Sequence, residues 1–181
     1  MSQNLVPKLI LEALGPAALC FFSIGAVIAT QGQDLVAISI ATGMAFAILV
    51  AVAGNISGAH FNPATTLSML ATGHISVPDA VAYIAAQLAG ALLGTAALTL
   101  TFLDVDRNRV NMGLPAVGQS IVANPPINLS SGNALVMEII LTFTMVLVIF
   151  GTAVEKRSLG RWIAPLAIGL SITIGGLVGS G

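Results

Sequence analysis

The chain reads as an all-α membrane protein: five spanning helices arranged as an inverted internal repeat, plus one re-entrant half-helix. Three observations predict this. Apolar residues make up 56% of the 181 and charged residues only 7%, whereas a soluble domain carries about a quarter charged residues. The apolar residues gather into five runs of bilayer-spanning length. Between the second and third runs stands a short polar element, Gly58-Ala59-His60-Phe61-Asn62-Pro63-Ala64, in an otherwise lipid-soluble sequence.

The spanning runs are roughly Leu9–Thr30, Leu35–Gly54, Ala80–Leu103, Asn133–Val154 and Trp162–Gly179. Only Met1–Lys8 precedes the first, which is itself long enough to span, so a cleaved leader is not expected. The half-helix has its own start and stop signals. Asn62 is a good N-cap and Pro63 is preset for the first helical position. The segment Pro63–Thr72 then runs until Gly73, which suits a helix end. Ten residues at about 1.5 Å each give roughly 15 Å, half of a hydrocarbon core about 30 Å thick. Backbone that stops halfway survives only beside protein or a water-filled cavity, and a pore supplies that cavity.

Loop charge sets the orientation. Lys8, Lys156, Arg157 and Arg161 fall on one side; Arg107 and Arg109, offset by Asp34, Asp104 and Asp106, fall on the other. The basic excess places the N-terminus and the 155–161 loop in the cytoplasm. Tyr83 and Trp162 lie near the cytoplasmic ends of their helices, as interfacial aromatics do. The connector 104–132 is then extracellular or periplasmic, with Asn124-Pro125-Pro126 keeping part of it extended. Asn128-Leu129-Ser130 matches a glycosylation acceptor, a pattern that also arises by chance. The net charge of −1 argues against nucleic acid as a partner. The expected surroundings are membrane lipid, in a multi-pass protein of the cell membrane.

A shift of 126 residues places Glu12 on Glu138, Gly25 on Gly151, Ala41 on Ala167 and Gly43 on Gly169. The chain is thus one domain over 1–181: a first repeat at about 9–103 and an incomplete second at about 133–181. One odd span separates the copies, so the second is inverted about an axis in the membrane plane. The counterpart of Asn62-Pro63-Ala64 would fall near position 188, and a second half-helix and sixth span are expected there.

Glu12 and Glu138 are acids at membrane depth, which default to functional candidates. They serve either a proton relay or, as the repeat favours, as acceptors for backbone N–H groups of an irregular loop in each half. Cys20, the only cysteine, sits among apolar residues and reads as packing. Gly90 and Gly94 form a small-xxx-small pair for close helix approach. No Cys, Asp or second His stands at ligand spacing from His60, so no metal or other cofactor is expected. His74 reads as a solvated loop residue. An intramembrane serine protease using Ser57 lacks a histidine on another helix. A secondary transporter with inverted repeats has only Glu12 and Glu138 to carry a coupled ion.

The run Gly54-Asn-Ile-Ser-Gly-Ala-His-Phe-Asn-Pro-Ala64, with Glu12, Glu138 and Ala164-Pro-Leu-Ala-Ile-Gly-Leu170, resembles the aquaporin and glycerol-facilitator (major intrinsic protein) family. The resemblance covers nearly the whole chain. It implies one pore per subunit, four subunits in the assembly, and a channel rather than an enzyme, with no catalytic residues. It assigns the carbonyls of Gly58, Ala59, His60 and Phe61 to an acceptor ladder in the cytoplasmic half of the pore. Asn62, heading Asn62-Pro63-Ala64, would donate its amide at the midplane. Physical chemistry agrees: acceptors and a donor replace lost water for a hydroxyl-bearing solute, while the positive end of the half-helix disfavours cations.

The same resemblance places a narrow filter partly at Thr42 on the second helix and Gly176 on the fifth. Strict water channels resemble Phe and His there, and glycerol channels Trp and Gly; Thr42 departs from both. Two small residues imply a wide constriction passing water with glycerol, urea or undissociated metalloid acids. Phe46, one turn on from Thr42, could refill part of that space.

Overall fold

The computed structural model describes residues 5–113, 119–120, 127–128, 130–155, 157–158 and 160–179. Lys156, the Asn124-Pro125-Pro126 segment and Leu129 of the glycosylation triplet lie outside them. Among the described residues, five helices are long and apolar enough to cross a membrane.

Helix α1 spans Leu5–Ala29 and α2 spans Leu35–Ala53, the latter capped by Asp34, whose carboxylate accepts from Ala37 N at 2.9 Å. The half-helix α3 covers Pro63–Ala71, with Thr72 as its C-cap and Gly73 at φ +74°. Helix α4, Val77–Thr101, starts three residues earlier than the hydropathy suggested, because Ser76 caps it and Pro78 fits its first turn. A short helix α5, Asp104–Arg109, follows. The connector also carries a two-residue antiparallel pairing, Gln119 with Asn128 and Ser120 with Ile127. Helix α6, Ser131–Ile149, opens on a capping box between Ser130 and Asn133 and continues as a π-helical turn over Phe150–Val154. Helix α7 is Ala164–Gly179, preceded by a 3₁₀ turn at Arg161–Ile163.

The repeat is carried in the element boundaries. The span Arg161–Gly179 is α2 displaced by 126 residues at both ends, and Ser131–Val154 matches α1 to within one residue. Its axis can be located by packing. Gly43 and Gly169 are repeat counterparts, and they touch each other: a Cβ on either would collide with backbone carbonyl oxygen of the other. A residue meets its own counterpart only where a two-fold axis passes. The absence of side chains there lets α2 and α7 cross backbone to backbone. Helices α1 and α4 use the same device, since a Cβ on Gly90 or Gly94 would collide with the carbonyl of Ala13 or Ala17.

These two close pairs leave a core at the end of the bundle where α3 enters. Phe46, Val50, Phe61, Met69, Ile149 and Ile168 pack there. Most other large apolar side chains on α1, α2, α4, α6 and α7 remain exposed, as suits helices whose outer faces meet lipid.

Candidate functional site

The segment between α2 and α3 is irregular backbone at the heart of the bundle, so its polar groups need partners. Glu12, fully buried on α1, provides them. Its Oε1 accepts from Ser57 Oγ at 2.7 Å and His60 N at 3.0 Å; its Oε2 accepts from Phe61 N and Gln87 Nε2, both at 2.8 Å. Ala59 N donates to Ser57 Oγ at 3.0 Å. Three consecutive backbone N–H groups are therefore consumed on one side of the loop. Ala59 and Phe61 both adopt φ near +50°, a left-handed geometry costing non-glycine residues about 1–2 kcal/mol each. Charge-assisted bonds to the carboxylate, roughly twice as strong as neutral ones, hold it.

The carbonyls are treated differently. None of those at Gly58, Ala59, His60 or Phe61 accepts a hydrogen bond among the described residues. Gly58, Ala59 and His60 border an open cleft of about 1070 Å³, which Val50, Thr65, Ile149 and Ile168 also line. Phe61 does not line the cleft. Its ring is buried against Gly15 of α1, where a Cβ would collide with it, and stands edge-on to Phe46 at 6.2 Å between centroids.

Asn62 caps α3, its Oδ1 accepting from Ala64 N at 2.8 Å. With the oxygen so used, the amide hydrogens remain for another partner. Pro63 supplies the first helical residue without an N–H to satisfy, and Ala64 the second. His60 is buried, with Nδ1 3.2 Å from Thr66 Oγ1 and its ring edge-on to Tyr83 at 5.2 Å.

Several members of this network were not singled out as site residues from the sequence. Gln87 also donates to Thr66 Oγ1 at 3.0 Å, tying α4 to α3, and Thr66 Oγ1 donates to Asn62 O at 3.2 Å. Tyr83, expected at the lipid interface, is instead buried and donates to Ser57 O at 2.7 Å. The available signal was spacing: Tyr83 and Gln87, at i and i+4, lie on one face of α4, and Gln87 is the only side-chain amide in that run. Trp162, by contrast, is exposed. The Ser57 hydroxyl is engaged by Glu12 and Ala59 and makes no hydrogen bond to histidine, unlike an activated nucleophile. His74 is exposed at the mouth of the cleft, its ring edge-on to Phe150 at 5.7 Å.

Glu138 departs from the expectation of a buried acid. It is exposed on α6, beside a groove lined by Ser68, Thr142 and Phe143, and makes no side-chain hydrogen bond among the described residues. Among the described residues no irregular loop with free N–H groups lies beside it. Thr42 is half-buried on α2, its hydroxyl returned to Ile38 O at 2.9 Å. Gly176 faces α2 one turn from Thr42: a Cβ there would lie 2.7 Å from Ser39 Oγ. Neither Thr42 nor Gly176 lines the cleft, which lies at the other end of α2 and α7.

Paired α1–α4 and α2–α7 crossings, a two-fold axis in the bundle and a capped half-helix under a carboxylate-held loop define a membrane protein of inverted-repeat class. The profile of the Major intrinsic protein family matches residues 1–181, and the chain belongs to that family. It is 36% identical over 170 residues to aquaporin-5 of Mus musculus, covering 93% of this chain and 60% of that protein. It is 41% identical over 144 residues to aquaporin-4 of Bos taurus, covering 80% of this chain and 42% of that one. The chain thus spans less than two thirds of the length of these relatives. Among solved structures, the aquaglyceroporin from Plasmodium falciparum superposes with a TM-score of 0.79 at 26% identity, covering 97% of this chain and 74% of its own.

Proposed function

We propose that this chain forms the body of a passive transmembrane channel for water and small neutral solutes, entered from the cytoplasm through the cleft beside Gly58–His60. One observation carries the reading. Three successive carbonyls without partners, at Gly58, Ala59 and His60 beside a cleft, on a loop whose N–H groups are pinned to Glu12 and Ser57, form a one-sided row of acceptors. Buried carbonyls without partners are rare in proteins and are tolerated at membrane depth where they line a water-filled path. A solute with hydroxyl groups exchanges water for these carbonyls and for the Asn62 amide. The N-terminus of α3, carrying about half a positive charge, repels cations and leaves neutral solutes unhindered. The family membership and the aquaporin and aquaglyceroporin neighbours support the same reading.

Thr42 and Gly176 would form the constriction on the opposite side, with the N-terminus and the 155–161 loop in the cytoplasm of a cell-membrane homotetramer. Small residues at both positions favour a wide pore passing glycerol, urea or undissociated metalloid acids with water. Stopped-flow measurements on liposomes holding the full-length protein test this: water flux with exclusion of both glycerol and urea overturns the wide pore. Thr42→Phe should lower the glycerol-to-water permeability ratio roughly ten-fold or more, since a site reshaped by one side chain discriminates by about 1–3 kcal/mol. An unchanged ratio removes Thr42 from the constriction. A water-selective channel is the second reading, and Ser39 favours it by filling the space a side chain at 176 would take.

A further inference from the structure

Thr65, the third residue of α3, is 2% exposed, and its Oγ1 is buried without a hydrogen-bond partner among the described residues. Its neighbour Thr66 shows what a satisfied hydroxyl in this helix looks like, bonded to Asn62 O and Gln87 Nε2. Thr65 instead borders the cleft, together with Ala59 and His60. A buried hydroxyl left unpaired costs about 1–3 kcal/mol, a cost that is recovered when something in the cleft bonds to it. The carbonyls bordering the same cleft can only accept, whereas a threonine hydroxyl both donates and accepts.

We propose that Thr65 is a further solute-recognition residue. It donates to one hydroxyl oxygen of a passing polyol while a neighbouring hydroxyl of the same molecule donates to the carbonyl of Ala59 or His60. The preferred solutes are therefore those with hydroxyls on adjacent carbons. Such a molecule engages the hydroxyl and a carbonyl at once, where separate water molecules engage them with no covalent tie between the two contacts.

The inference rests on the channel reading above. The test uses full-length protein in liposomes and reads the ratio of glycerol to water permeability by stopped-flow light scattering. Thr65→Val, equal in shape but without the hydroxyl, should lower that ratio roughly three- to ten-fold, the worth of one neutral hydrogen bond. Thr65→Ser keeps the hydroxyl and returns the ratio toward the wild-type value. A purely structural role lowers both fluxes with the amount of folded protein and leaves the ratio alone, which overturns the proposal. If Thr65→Val does not fold, Thr65→Ala carries the same expectation. Wild-type protein that conducts no glycerol defeats both the wide pore and this inference, whereas an unchanged ratio in a conducting Thr65→Val channel defeats only the inference.

Discussion

Glu12 and Glu138 stand at matching positions of two matching helices, and the structure treats them in opposite ways. Glu12 is sealed from solvent and accepts four hydrogen bonds, two of them from the backbone of the 54–62 loop. Glu138 is exposed beside an open groove of about 430 Å³. The two helices differ in detail, Gly15 of α1 matching Leu141 in the repeat, but the larger difference lies in what surrounds each acid. The loop accounts for it. A carboxylate at membrane depth is tolerable only when donors surround it, and an irregular loop is tolerable only when an acceptor collects its N–H groups. Each feature requires the other. The function proposed above follows from the pairing, because pinning the donors to Glu12 is what leaves the carbonyls free for a solute.

The largest expected effect separates these two acids. Glu12→Ala strands Ser57 Oγ, His60 N, Phe61 N and the Gln87 amide, and breaking such a buried charged network costs about 3–5 kcal/mol. The 181-residue chain bearing it should melt far below wild type in detergent micelles, while Glu138→Ala, which removes no side-chain hydrogen bond among the described residues, should lower the melting temperature far less. If Glu138→Ala melts as low as Glu12→Ala, the contrast between the two acids does not hold.

Much of this architecture was legible in the sequence. Hydropathy located all five spans, the Asn62-Pro63 pair located the half-helix, and the 126-residue shift carries α2 onto the span Arg161–Gly179. What hydropathy missed was polar partnership across elements. Tyr83 looked like an interfacial aromatic because position along a helix is visible in a sequence, whereas the facing carbonyl of Ser57, 26 residues earlier, is not. Gln87 and Thr66 escaped for the same reason, as did the exposure of Glu138, which depends on what surrounds it rather than on its own helix. Within the 104–132 connector, α5 forms because Asp104 and Asp106 lie in its first turn and Arg107 and Arg109 in its last, a charge order that complements the helix dipole.

The glycines extend the comparison at smaller scale, because the repeat carries two pairs of them with different reasons for being there. Gly43 and Gly169 sit on the two-fold axis, where a Cβ on either would strike backbone of the other helix. Backbone cannot rotate aside as a side chain can, so Gly43→Ala must push α2 and α7 apart. Overpacking of this kind costs about 1–3 kcal/mol. Thermal melting in micelles should show that loss, and a wild-type melting temperature would mean the two helices do not cross here.

Gly25 and Gly151 match under the same shift but meet no such obstacle. A Cβ at Gly25 would rest 3.6 Å from Phe102 Cζ, in ordinary contact, and one at Gly151 meets nothing within 4 Å. With space available and helical backbone at both sites, the remaining term is conformational entropy, which favours alanine over glycine inside a helix by roughly 0.5–1 kcal/mol. Gly25→Ala should therefore raise the melting temperature slightly, reversing the sign seen at Gly43. Gly151→Ala should gain less, because Gly151 lies in the π-helical turn, where α-helical propensity applies only in part. Loss of stability at Gly25 would show that α1 approaches its neighbours in the membrane as closely as α2 approaches α7, and that a glycine shared between the halves marks a crossing wherever it falls.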